Sequence, residues 1–120
     1  MKEIIKLCTT GELAEWLRGQ WKPQDGDFFV ERYEGKIYKP RIYHKNYTTY
    51  FDITTYWLPI SFDLKHNCLQ VERLLMKKLD CPDIMYFRTL FNERDKENPS
   101  GKSYVIQCLL WLKELVEKEK

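Results

Sequence analysis

The side chains best equipped for chemistry are four cysteines (Cys8, Cys68, Cys81, Cys108) and two histidines (His44, His66). Thiolate and imidazole serve as zinc ligands or as nucleophile and base, and both uses need convergence in space. Only His66-x-Cys68 is a close pair, and no Cys-x-x-Cys occurs. Cys68 and Cys108 also fall on apolar stripes of expected helices, where a thiol behaves as a small buried hydrophobe. Neither histidine sits in a recognisable nucleophile motif. Asp52 and Asp63 read as ordinary strand and cap acids. No metal site, cofactor or catalytic residue is therefore expected.

Ser100-Gly101-Lys102-Ser103 resembles the tail of a phosphate-binding P-loop. In that loop a leading glycine five positions before the second lets the backbone wrap round the phosphates; here that position is Lys96, and Glu97 beside it would repel a triphosphate. The chain also lacks an apolar strand ending in a magnesium-binding aspartate. A plain loop and helix start is the expectation.

The remaining non-random feature is the segment from Arg32 to Tyr50. Five basic residues (Arg32, Lys36, Lys39, Arg41, Lys45) oppose one acid, Glu34, giving a net charge of +4. The whole chain carries +2, so the other residues sum to −2. Tyr33, Tyr38, Tyr43, Tyr47 and Tyr50 are interleaved with the cations. Aromatic faces beside Lys and Arg suit single-stranded nucleic acid, which stacks its bases and pairs its phosphates. The same composition serves cross-strand packing on a half-exposed sheet and protein contacts built on Tyr and Arg. The candidate partner-binding residues are Arg32, Lys36, Tyr38, Lys39, Arg41, Tyr43, Lys45, Tyr47 and Tyr50.

These residues need strands to hold them, and the composition from Asp27 to Trp57 is aromatic and β-branched, as strands require. Phe28–Tyr33 and Lys36–Lys39 read as a hairpin about Glu34-Gly35. Tyr47–Leu58 reads as a third strand of a meander, ended by Pro59. Ile84–Phe91 is read as a fourth strand, with a helix as the alternative, and 92–101 as an exposed loop. Helices flank this sheet. Thr9 and Glu12 have capping-box spacing ahead of Leu13, Trp16 and Leu17, with Gly19 a natural stop. Leu64, Cys68, Val71, Leu75 and Leu79 recur at helical spacing, closed by Cys81-Pro82. Val105, Leu109, Leu112 and Val116 line a C-terminal helix widened by Cys108 and Leu115.

At 120 residues, with 43% hydrophobic content and 20 basic against 18 acidic residues, the chain suits one domain spanning 1–120 with a real core. The expected class is α+β: an antiparallel sheet, a three-strand meander plus the fourth strand, packed against two or three helices. No run approaches a membrane span, and the charged opening does not read as a signal peptide. A soluble, cytoplasmic protein with reduced thiols is expected. The first functional reading is a non-enzymatic domain that binds another protein or itself through the Tyr/Arg face. The alternative is an accessory single-stranded DNA- or RNA-binding protein, and the third a small hydrolase.

Overall fold

The computed structural model describes residues 2–47, 52–61, 65–97 and 103–118. Its sheet is organised around β1 (Asp27–Tyr33), with which the other strands among the described residues pair antiparallel. β2 (Lys36–Ile37) follows through a two-residue turn in which Glu34 (φ 50) and Gly35 (φ 78) both take left-handed backbone. That conformation matches the twist of the flanking strands, and it fixes the register Arg32↔Ile37 and Tyr33↔Lys36. Pro40 lies in the gap between β2 and β3 (Arg41–Ile42), which pairs with Phe28 and Phe29. β4 (Thr54–Ser61) pairs with β1 from Arg32↔Thr54 to Asp27↔Ser61. Phe29 and Arg32 each pair with β4 as well as with β3 or β2, so β2 and β3 together form one edge and β4 the other.

The arrangement corrects the meander. β4 lies beside β1 on the far side rather than beside β3, and it begins at Thr54, not Tyr47. Tyr47 sits in a turn, its N–H donating to the His44 carbonyl at 2.8 Å. Pro59 does not end β4 but lies within it, where the register steps from Phe29↔Trp57 to Asp27↔Ser61. An irregular edge strand tolerates a residue with no N–H.

The described residues also form five helices: α1 (Lys2–Thr9), α2 (Gly11–Gln20), α3 (Lys65–Leu79), α4 (Ile84–Glu97) and α5 (Tyr104–Lys118). α1 was not anticipated; it buries Ile4 and Cys8, four residues apart. Its presence undoes the expected capping box, because Thr9 is helical and its hydroxyl donates back to the Ile5 carbonyl at 2.7 Å. Thr10 occupies the N-cap of α2 without a side-chain cap bond. α3 closes as its pattern predicts. Asp80 takes left-handed backbone (φ 55), and the N–H groups of Asp80 and Cys81 bond the Lys77 and Met76 carbonyls, a Schellman closure.

The largest correction is α4. Ile84–Phe91 is helix, not strand, and the helix runs through Glu97 into the expected loop. The Asp83 carboxylate caps it, accepting the Tyr86 N–H at 2.8 Å. Phe87 and Phe91, four residues apart, then face α5, where Phe87 stacks on Trp111 (6.1 Å between centroids) and Phe91 meets Tyr104 (4.9 Å). The sheet's fourth strand is Arg41–Ile42 instead. With helices packed on an open four-stranded antiparallel sheet, the fold is α+β. The helix-covered face carries Val30, Tyr56 and Leu58, closed by Leu13, Leu17, Val71, Leu75, Leu109 and Leu112.

Candidate interaction face on the sheet

Strand alternation sends Val30 and Arg32 toward the helices and Phe29 and Glu31 to the other side. There the register sets Arg41 and Trp57 opposite Phe29, and Thr55 opposite Glu31. Phe29 is 0% exposed although it points away from the helices. Tyr47 and Trp57 cover it, with centroids at 4.9 and 5.7 Å. Tyr43 meets Trp57 edge-on at 5.3 Å and Tyr47 at 6.5 Å, geometries that aromatic quadrupoles favour.

Glu31, 8% exposed, stands beside this cluster. A buried carboxylate costs several kcal/mol unless paired and hydrogen-bonded. Arg41 Nη1 donates to Glu31 Oε1 at 3.0 Å, and the Tyr47 hydroxyl donates to Oε2. The Arg41 guanidinium also lies 5.8 Å from the Phe29 ring centre and 5.5 Å from that of Tyr47. The chain carrying Tyr43 and Tyr47 is pinned from beneath. Tyr43 N–H donates to the Asp27 carbonyl (2.7 Å), Gly26 N–H to the Tyr43 carbonyl (3.0 Å), and Lys45 N–H to the Asp25 carboxylate (2.6 Å). Asp27 is buried and accepts the Gln24 N–H at 2.8 Å and Trp21 Nε1–H at 3.4 Å.

The nine sequence-derived candidates thus divide. Arg32 is on the helix-covered side, donating to the Tyr56 hydroxyl (3.0 Å) and the Thr9 carbonyl (3.1 Å). Tyr43, Tyr47 and Arg41 are joined in the aromatic cluster. Lys36, Tyr38, Lys39 and Lys45 are exposed on the β2/β3 edge and the turn after it, with Lys36 Nζ 5.3 Å from the Tyr38 ring centre. Tyr50 lies outside the described residues. Sequence reasoning missed Phe29, Glu31 and Trp57, which organise the cluster, and Ile42, exposed in β3. The alternation Phe29-x-Glu31 was available as a signal, but the cross-strand register that sets Arg41 and Trp57 against it was not.

Three reactive groups elsewhere, Cys8, Cys81 and Tyr104, hold their protons more tightly than usual. Burial pushes the Cys8 thiol up to about 12 from 9.0, which leaves it protonated and non-nucleophilic at neutral pH. Cys81 is raised by burial and then by Asp80 and Asp83; Tyr104 is raised by burial, then by Cys108 and Glu72. The side chains of His66 and Cys68, and the whole of Gly101 and Lys102, lie outside the described residues. Ser103 accepts the Ile106 N–H at 3.4 Å, as a helix N-cap does. No helix among the described residues is long and apolar enough to cross a membrane. Compared with known proteins, the chain matches no family model, no curated protein and no solved structure.

Proposed function

We propose that this is a non-enzymatic binding protein whose β2/β3 edge engages an acidic surface of a protein partner, an unrelated chain or a second copy. The observation carrying this reading is the division of the Tyr/Arg segment. The rings of Tyr43 and Tyr47 are half-buried and engaged with Phe29 and Trp57, which reduces what they offer to bases. What stays exposed along this edge is Lys36, Tyr38 (46% exposed), Lys39, Ile42 and Lys45, with Lys36 Nζ 5.3 Å from the Tyr38 ring centre. Among the described residues those lysines have no ion-pair partner. An exposed tyrosine with a lysine against its ring, and further lysines along the same edge, suit a contact with an acidic protein surface. A strand of nucleic acid needs several open rings in succession.

Fluorescence anisotropy on a labelled mixed-sequence oligonucleotide at ~50 mM salt, where phosphate contacts are strongest, separates the two readings. No saturable signal that Tyr38→Ala or Tyr43→Ala diminishes is expected. A saturable signal lost in either variant would transfer the edge to single strands.

A further inference from the structure

A second concentration of positive charge lies away from the sheet edge, where the chain leaving α2 passes α3. Lys22, Arg73 and Lys77 line one cleft of about 340 Å3 there, together with the amides of Gln20, Gln24 and Gln70 and, among the described residues, no carboxylate. Among the described residues none of the three cations has an ion-pair or hydrogen-bond partner for its side chain. The walls are fixed to each other: Gln70 accepts the Lys22 N–H at 2.7 Å and donates to the Lys22 carbonyl at 3.0 Å, tying the loop to α3. Lys77 sits in the last turn of α3, where a cation offsets the exposed carbonyls. Arg73 lies more than a turn earlier, outside that influence, and faces the same cleft without a partner.

We propose that this cleft is a binding site for a compact anion bearing two or more phosphate groups, either free oligophosphate or the phosphate end of a nucleotide. Three positive charges exceed what one phosphate, at about −1.5 to −2, neutralises. Guanidinium and ammonium donors, with amide N–H groups between them, match phosphate oxygens. The tie through Gln70 holds the cations' backbones together before the anion arrives, which lowers the ordering cost of binding. No described residue of the Arg32 to Tyr50 segment lines the cleft, so this site and the sheet edge stand or fall separately.

The test is calorimetric titration with inorganic tripolyphosphate at ~50 mM salt, with ATP free of magnesium as a second arm. Saturable binding is expected, and Arg73→Glu with Lys77→Glu should weaken it by ~tenfold or more, while Lys36→Glu with Lys39→Glu, an equal change in net charge, should alter it by less than ~twofold. Lys22→Glu, a single change in the loop, should weaken it as well and does not depend on α3 tolerating two substitutions. Equal affinity for tripolyphosphate and ATP assigns recognition to the phosphates alone; tighter ATP binding assigns a contribution to the nucleoside. Absence of saturable heat, or equal losses from the cleft pair and the edge pair, would overturn the site. Citrate binding as tightly as tripolyphosphate would overturn its assignment to phosphate.

Discussion

Glu31 is the residue on which the outer face of the sheet rests. Its carboxylate joins Arg41 from β3 to Tyr47 from the following turn. Arg41 is 60% exposed, so as a surface ion pair it would contribute little; the nearly buried acid makes the contact matter. Tyr47→Phe removes one donor and should lower stability by about 1–2 kcal/mol in urea unfolding. An unchanged midpoint would mean that the turn does not lean on Glu31. Leu109 is 0% exposed at the centre of the helix-covered core, and Leu109→Ala should cost roughly 2–5 kcal/mol. A loss below ~1 kcal/mol would contradict that burial. Cys8 gives a pH dependence of definite sign. The folded thiol keeps its proton to about 12, whereas an unfolded one releases it near 9.0, so between those values the native state binds more protons. Stability is then whole below pH 9 and falls as pH rises toward 12, at up to about 1.4 kcal/mol per pH unit for one group. Tyr104, raised in the same direction, steepens the fall. Unfolding midpoints at pH ~8 and ~10 check it, and Cys8→Ala should flatten the decline. A decline as steep in that variant would remove Cys8 as a cause.

At the scale of elements, what the sequence made legible was periodicity, and what it hid was pairing and caps. α3 and α5 were readable because Val71, Leu75 and Leu79, and Leu109, Leu112 and Val116, repeat on one stripe for about two turns each. α4 was obscured because Met85, Tyr86, Phe87, Thr89 and Phe91 have strand-like composition. The decisive clue was Asp83, a helix cap placed directly after Pro82. α1 escaped notice because eight charged and apolar residues make too short a helix to be stable alone; its packing through Ile4 and Cys8 sustains it. The hairpin at Glu34-Gly35 was legible from the glycine, yet Glu34 takes a backbone that favours Asn or Gly. Glu34→Asn should therefore stabilise by about 0.5–1 kcal/mol, seen as a raised melting temperature. A lowered one would show that Glu34 contributes a contact outweighing its backbone cost.

For the whole molecule, the charge split was legible in the sequence but its geometry was not. A net +4 between Arg32 and Tyr50 identified the segment. Only the fold separates Arg32, turned to the helices, from Lys36, Lys39 and Lys45 on the edge. The cleft of Lys22, Arg73 and Lys77 was invisible because about fifty residues of chain separate its walls. The edge is also short: β2 and β3 have two residues each with Pro40 between them, which discourages continuous strand addition and leaves side chains to make the contact. The most direct measurement is photo-cross-linking from a benzophenone side chain placed at Tyr38 in the full chain. The expected product is an adduct with polypeptide, resistant to nuclease, that disappears when Lys36, Lys39 and Lys45 are changed to Glu. An adduct that nuclease removes, or one that persists unchanged in the Glu variant, would contradict it.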